Sequence, residues 1–189
     1  MQPHSVYLKM DVGNYTLRLL AKEDLDTYFE MVSYNRKRLE NFFTGTVSRT
    51  DSYENTKTFV SEMLERVQAR TYFPYVLIDN SNGRLAGFFD MKNIDWSIPK
   101  TELGCYIDLD YENKGITSMV MKAFIEICFT EYQFEKIFFR THTSNHPVHR
   151  IAEKCGFTIE GTLRKDYKTT SGELVDLVYY GMLREEAVG

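Results

Sequence analysis

The spacing of the apolar residues changes near Phe73, and this change limits the chain to folds that combine helices with a sheet. Before Phe73, two long segments carry apolar residues three or four positions apart, which is the period of an amphipathic helix. After it, most segments alternate apolar and polar residues, as a strand with one buried face does. The pattern therefore predicts a sheet with helices packed against it.

The N-terminal half of the chain is predicted to contain one strand, two helices and a hairpin. In the second helix Phe59, Met63 and Val67 recur every four positions, and Asp51 and Ser52 precede it as a helix start. The predicted elements are, in order, a strand over residues 15–20, a helix over 23–43, a helix after residue 52, and strands over 75–79 and 84–92 joined by a turn at 80–83.

The C-terminal half is predicted to alternate strands and helices before a closing hairpin. Pro147 opens a short helix and Gly156 lies just past its end, which is the common placement of these residue types. The other ranges are strands over 102–109, 136–141, 157–163 and 174–183, and a helix over 115–129. This order predicts an α/β fold, a central mixed sheet with helices on both faces. Because no linker or repeat interrupts the chain, we expect residues 1–189 to form a single domain.

Composition argues against several classes of function. The 189 residues carry a net charge of −4 and no run of Lys and Arg interleaved with aromatic residues, which argues against direct nucleic acid binding. Residues 1–13 contain no apolar signal core, and no apolar stretch has the length of a membrane span. Cys105, Cys128 and Cys155 form no CxxC pair and lie in apolar segments, as reduced core thiols do. We therefore expect a cytoplasmic protein that does not bind a membrane.

Three histidines, His142, His146 and His149, lie close together in the sequence and near Cys155. A zinc site would require these side chains to converge on one point. A predicted strand, a turn that contains Pro147 and a helix give them different directions. We therefore expect no metal site.

The residues between the predicted strand at 102–109 and the following helix are suited to bind an anion. Such a turn directs free backbone N–H groups outward, and the helix dipole favours negative charge there. Gly115 would let a phosphate approach the backbone, and Lys114 adds positive charge. The same turn is also compatible with a glycine needed for backbone geometry alone.

A second segment, residues 143–157, follows a strand and forms a short helix. Val148, Ile151 and Cys155 have the spacing of a face that packs on the core. Together, the two segments resemble the acetyl-CoA-binding half of the GNAT superfamily of N-acetyltransferases, in the RimJ/RimL-like branch that acetylates ribosomal proteins at alanine. The residues that carry the resemblance are Glu112, Gly115 and Thr117 in the pyrophosphate loop; Asn145, Glu153, Lys154, Gly156, Phe157, Glu160 and Gly161 in the following run; Glu102 to Ile107; and Asp176 to Tyr180.

The resemblance extends over about residues 16–183, with the acetyl-CoA half at about 100–165. It implies that acetyl-CoA is the cosubstrate and that Asn145 holds its pantetheine arm. The pyrophosphate would be held by Asn113, Lys114, Gly115, Ile116 and Thr117. Family members often have Ser where this chain has Val148, so we assign no group that protonates the departing CoA. A thiolate leaves readily and can take a proton from water.

The resemblance also implies the catalytic groups. A backbone N–H on the strand that contains Ile107 would stabilise the oxyanion. Glu102 is the candidate general base, which would also bind the amine directly or through a bridging water, although a residue at a strand start could equally be solvated. Acceptor contacts are expected from residues 36–49 and 95–100, which include Phe42, Phe43 and Trp96.

The predicted function is acetyl transfer from acetyl-CoA to a primary amine by direct attack in a ternary complex. The favoured acceptor is the N-terminal α-amine of a protein, such as a ribosomal protein. Two alternatives remain: a small amine such as a polyamine or an aminoglycoside, and a non-catalytic module that binds acyl-CoA. The sequence is compatible with a monomer or a homodimer.

Overall fold

A computed structural model describes residues 6–187. The strands in that range are β1 (Lys9–Val12), β2 (Tyr15–Leu19), β3 (Phe73–Asp79), β4 (Leu85–Asp95), β5 (Lys100–Ile107), β6 (Lys136–His142), β7 (Thr158–Lys168) and β8 (Leu174–Leu183). The α-helices are α1 (Leu25–Leu39), α2 (Thr44–Arg49), α3 (Tyr53–Gln68), α4 (Ile116–Thr130), α5 (His146–Cys155) and α6 (Arg184–Ala187). None of these helices combines the length and the apolar composition needed to cross a membrane.

The strands form one sheet in the order β1-β2-β3-β4-β5-β6-β8-β7. β1 to β5 are an antiparallel meander, and β6, β8 and β7 form a second antiparallel unit. β5 and β6 are parallel and are connected through α4, because parallel neighbours need a crossover. The predicted mixed sheet is therefore confirmed.

Alternate side chains of the central strands enter two cores, one on each side of the sheet. Phe89 of β4 packs on Phe124 of α4, with ring centroids 5.8 Å apart, on what we name the α4 face. The preceding residue, Phe88, packs on Tyr28 of α1 at 5.5 Å, on the α1 face. The period of two along β4 thus explains why helices cover both sides, as predicted.

The helix predicted over residues 23–43 is shorter in the structure, and α2 is a separate helix that begins after its predicted end. α1 ends at Leu39, and Phe43, immediately before α2, has a φ of −130° that no α-helix accommodates. The backbone therefore turns over residues 40–43 before α2 begins. The sequence pattern also does not predict β1, because a strand of four residues is too short to show a period.

The strand predicted over residues 102–109 ends earlier, at Ile107. The side chain of Asp108 accepts a hydrogen bond from the N–H of Asp110 at 3.0 Å and starts a turn of 3₁₀-helix over Leu109–Tyr111. Leu109 is consequently 44% exposed and is not in the ladder. The predicted alternation fails here because a side-chain cap competes with strand pairing.

A buried asparagine of α1 holds this turn in place. Asn35 is only 1% exposed, and its amide nitrogen donates to Asp108 Oδ2 at 2.6 Å and to the carbonyl of Met31 at 2.8 Å. Its carbonyl oxygen accepts from the N–H of Leu109 at 3.0 Å. The one side chain therefore fixes α1 to the end of β5.

We predict that Asn35→Ala lowers the free energy of unfolding by about 2–4 kcal/mol, because it leaves Oδ2 of the buried Asp108 carboxylate and the N–H of Leu109 without partners. Urea unfolding measures the loss. Asn55→Ala is the matched control, since the Asn55 amide donates to Asp51 on the exposed surface of α3. It should cost about 0.5 kcal/mol or less. Equal small losses for both variants would show that the Asn35 hydrogen bonds contribute little.

Candidate functional site

The backbone ladder between β5 and β6 stops three residues after it starts. Lys100, Thr101 and Glu102 pair with residues 136–138, and the register extends no further. Beyond this point residues 103–107 of β5 and 139–142 of β6 separate, and we name the space between them the strand gap. Backbone N–H and C=O groups along such an edge need other partners, and a bound ligand can provide them.

A cavity of about 160 Å³ occupies the strand gap. We name it the central cavity. It is lined by Glu102, Leu103, Gly104 and Cys105 of β5; Phe139, Arg140, Thr141 and His142 of β6; Asn145, Val148 and Ile151 at α5; Asn41, Phe42 and Phe43 after α1; and Lys92, Met121, Phe157, Tyr167 and Leu177. Most of the wall is apolar, and the polar groups lie at its two ends.

One end of the central cavity lies at the start of α5. Asn145 directly precedes this helix, and its amide nitrogen donates to Thr141 Oγ1 at 3.0 Å, which fixes the side chain against β6. Val148 and Ile151, one helical turn on, provide the apolar wall. This end is suited to a narrow ligand that carries an amide and apolar groups.

The turn before α4 provides a separate anion site. Asn113 and Gly115 both have left-handed backbone conformations, with φ of 59° and 76°. In the described part of the chain, the N–H groups of residues 113–117 donate to no protein acceptor. A Cβ on Gly115 would contact nothing within 4 Å, so the approach is open. Consecutive free N–H groups at a helix N-terminus bind phosphate well.

Two charged side chains at this turn, those of Glu112 and Lys114, already have partners within the protein. Lys114 Nζ donates to the carbonyl of Asp110 at 2.7 Å. Glu112 forms an ion pair with Arg38 of α1, so its charge is largely compensated. The backbone, more than these side chains, therefore gives the turn its affinity for an anion.

The other end of the central cavity holds charged side chains on the α1 face. Glu102 is 4% exposed; its Oε1 accepts from Arg140 Nε at 3.1 Å and its Oε2 from Asn93 Nδ2 at 2.7 Å. Lys92 Nζ lies 3.9 Å from Oε1. Arg140 also donates to Tyr179 and Asp166 of the outer hairpin.

Electrostatics keep the two cations protonated. The carboxylate of Asp90 raises the pKa of Lys92 against the opposing effect of burial, and Glu102 adds to the rise. Burial alone would lower the pKa of Arg140, but its hydrogen bond to Glu102 and the charge of that carboxylate raise it overall. The cavity end is thus a fixed array of charges.

The segment between α1 and α2 covers the cavity. The ring of Phe43 packs edge-on against Tyr106 with centroids 5.1 Å apart. Thr44 is tied to β7, because the hydroxyl of Tyr167 accepts from its N–H at 2.9 Å and donates to its Oγ1 at 2.7 Å. The cover therefore joins two elements that are distant in the chain.

The structure brings some of the predicted residues together and not others. Glu102 and Asn145 line the same cavity. Ile107 lies at the far end of β5 with its side chain in the α4-face core, and its carbonyl accepts from Arg38 at 3.3 Å. The β5 residues that line the cavity are 102–105, so an oxyanion contact from the backbone of this strand stays a prediction.

Among the aromatic candidates, Phe42 and Phe43 line the cavity, whereas Trp96 stacks on Phe134 and donates to the carbonyl of Arg70. Within residues 6–187 no group of three or more His, Cys, Asp or Glu is placed to hold a metal ion.

Sequence reasoning missed the cavity residues Lys92, Gly104, Arg140 and Tyr167. The sequence does contain a feature that could have indicated Lys92 and also Asp90, two positions earlier in β4. Both are charged residues at alternate positions that follow the apolar first half of β4, and this spacing places them on one face. Charges at such positions are rare without a reason.

Known proteins of similar sequence and structure carry out one kind of reaction. The "Putative ribosomal N-acetyltransferase YdaF" of Bacillus subtilis is 28% identical over 176 residues, which cover 92% of this chain and 93% of that protein. The ribosomal-protein-S5-alanine acetyltransferase of Vibrio fischeri has the same fold, with a TM-score of 0.87, 19% identity and coverage of 95% and 98%. The spermidine N-acetyltransferase of Vibrio cholerae, solved with CoA and spermine, gives a TM-score of 0.79 at 19% identity with coverage of 93% and 99%.

The free N–H groups at residues 113–117 suit a pyrophosphate, and the strand gap suits an extended arm, so the site fits acetyl-CoA. The family model described as acetyltransferase (GNAT) domain matches residues 14–158. The chain belongs to the GNAT acetyltransferase family and is an N-acetyltransferase.

Proposed function

We propose that this enzyme transfers the acetyl group of acetyl-CoA to the N-terminal α-amine of a protein, with ribosomal proteins as the favoured class, by direct attack in a ternary complex. The observation that carries the proposal is the continuity of the central cavity. It joins Asn145, at the expected pantetheine end, to the charged end around Glu102. A ligand in the strand gap would therefore meet an acceptor that arrives from the α1 face.

The acetyl-CoA side is assigned as follows. Acetyl-CoA supplies a thioester, whose thiolate is a good leaving group. The N–H groups of residues 113–117 would bind the pyrophosphate, and Asn145 the amide groups of the pantetheine arm. Val148 lines the cavity and has no proton to give, so the thiolate takes its proton from water.

On the acceptor side, Glu102 would orient the amine through a bridging water, since its oxygens already accept from Arg140 and Asn93. An α-amine has a pKa near 8, so about a tenth of it is neutral at pH 7. Such an amine needs little help to lose its proton. A lysine-like amine, with a pKa of about 10.4, would need far more.

The names of the relatives support a ribosomal acceptor. Because ribosomal proteins are the favoured acceptors, the reaction would take place in the cytoplasm. A polyamine acceptor is the second candidate, because the spermidine N-acetyltransferase shares the fold. An acetyl-CoA-binding module without turnover is the third. The sequence fits a monomer or a homodimer in each case.

A parallel mass-shift assay separates these candidates. The enzyme is incubated with acetyl-CoA and, separately, with ribosomal proteins, synthetic N-terminal peptides, and spermidine. We expect a gain of one acetyl group at the N-terminal amine of one or more peptides or proteins. Acetylation of spermidine alone would favour the polyamine reading. Binding of acetyl-CoA with no acetylation of any amine would favour the non-catalytic reading.

We predict that Gly115→Glu abolishes acetyl-CoA binding measured by calorimetry, because a carboxylate would enter the anion site. Any side chain at this φ also strains the turn, so a control with the same strain is needed. Gly172→Glu is that control: Gly172 has a φ of 89° in the β7–β8 turn. It should retain the wild-type affinity. Equal affinities for both folded variants would remove the turn from the acetyl-CoA site.

We predict that Glu102→Gln lowers kcat/KM for an N-terminal peptide by about ten- to a thousandfold at pH 7, because it removes the charge that orients the amine and balances Arg140. The loss should shrink as the pH rises past about 8, where the α-amine arrives deprotonated. Glu135→Gln, which breaks the exposed ion pair to Arg184, is the control and should change kcat/KM less than about twofold. An unchanged kcat/KM in Glu102→Gln at pH 7 would show that Glu102 has only a structural role.

A further inference from the structure

A second carboxylate, that of Asp90, lies beside Gly104, which lines the central cavity, and one of its oxygens has no hydrogen-bond partner among the described residues. Asp90 of β4 is 9% exposed, and its Oδ2 accepts from the hydroxyl of Tyr72 at 2.7 Å. Its Oδ1 is buried and has no hydrogen-bond partner among the described residues. Buried carboxylate oxygens are rarely left in this state, because the lost hydration is not replaced.

The nearby cation, Lys92, does not supply a hydrogen bond to Asp90 Oδ1. Lys92, two residues along β4, forms its ion pair with Glu102 and not with Asp90 in the described chain. The charge of Asp90 still acts on it, since that charge raises the pKa of Lys92. The Oδ1 atom therefore keeps an acceptor position that folding leaves unfilled.

Gly104 opens this position to the cavity. Asp90 pairs with Gly104 across the ladder between β4 and β5, and Gly104 lines the cavity. A Cβ on Gly104 would lie 2.3 Å from Asp90 Oδ1 and 3.0 Å from Lys92 Nζ. The missing side chain thus leaves Asp90 Oδ1 and Lys92 Nζ as the side-chain atoms nearest to Gly104 at this part of the cavity wall. Glu102 lies two residues earlier on β5, on the same face.

We propose that Asp90 Oδ1 accepts a hydrogen bond directly from the acceptor amine and holds the nucleophile in the cavity together with the water-mediated contact of Glu102. The proposal rests on the amine-acetylating activity of the proposed function, but not on which amine is acetylated. A primary amine is the fitting ligand, because it brings N–H donors and positive charge to an anionic acceptor. Glu102, whose oxygens already bind Arg140 and Asn93, is the less available of the two carboxylates.

Such a group has a role at each stage of the reaction. An amine that binds as the ammonium ion first loses one proton to solvent, because only the neutral amine can attack. As the bond from nitrogen to the acetyl carbon forms, the nitrogen gains positive charge, and Asp90 stabilises it. The bond from carbon to sulfur then breaks, and its electron pair leaves with the CoA thiolate. The surplus N–H proton passes to Asp90 Oδ1 and from there to solvent, while the thiolate takes a proton from water. The products are the acetylated amine and CoA.

Asp90→Asn tests the proposal, since it changes the charge and little of the shape. We expect kcat/KM for the amine to fall by about ten- to a hundredfold, mostly through a higher KM, because a hydrogen bond to a charged group is lost. The Kd of acetyl-CoA should change less than about twofold. Asp79→Asn is the matched control: Asp79 is equally buried and accepts from Tyr111 at 3.0 Å, but lies in the β3–β4 hairpin. It should leave the KM of the amine unchanged.

A binding measurement covers the cases in which no acceptor is found or the variant does not fold. Wild-type enzyme with ¹³C-labelled aspartate, saturated with CoA, is titrated with propylamine, and the Asp90 carboxyl signal is followed by NMR. We expect a saturable shift of the Asp90 signal, none at Asp79, and none with propanol, which has the same length without the charge. An Asp90 signal that does not respond, or an unchanged KM in Asp90→Asn, would overturn the proposal. Failure of the proposed function differs from this: N-terminal peptides would not be acetylated, while propylamine would still shift Asp90.

Discussion

Backbone pairing between β5 and β6 ends after Glu102, and the remaining features of the site depend on that termination. Paired strands would fill the middle of the sheet with hydrogen bonds and leave no room for a ligand. The separation instead leaves backbone N–H and C=O groups on the facing edges of β5 and β6 without their ladder partners, near the centre of the sheet. An extended ligand with amide groups can take the place of a strand there.

The two faces of the sheet present different chemical groups at the strand gap. On the α4 face, the turn at residues 113–117 and the start of α5 offer N–H groups and an amide to an anionic, elongated ligand. On the α1 face, the alternate residues of the same strands are charged: Asp90, Lys92, Glu102 and Arg140. Under the proposed function, the period of two along a strand would place acetyl-CoA and the amine on different faces, so that they would meet within the strand gap.

Burying the charges on the α1 face costs hydration free energy. Partners within the protein compensate for this cost at Glu102 but only in part at Asp90. Glu102 accepts from Arg140 and Asn93 and lies 3.9 Å from Lys92, so its charge is matched. Ion pairs of this kind fix geometry more than they add stability. Asp90, by contrast, retains an empty acceptor position. A rigid, balanced array with one open position suits selection of a ligand that is both a cation and a hydrogen-bond donor.

The sequence by itself determined the helices and strands that have a clear period, the glycine turn before α4, and the family, because these features depend on residues close together in the chain. It did not determine which side chains meet. Glu102 and Arg140 are 38 residues apart, and Tyr167 and Thr44 are 123 residues apart. Asp90 lies next to the cavity-lining residue Gly104 only because the register of β4 and β5 sets the two opposite each other. Register and strand separation arise from the packing of the whole sheet, so only the tertiary structure decided the charged end of the site.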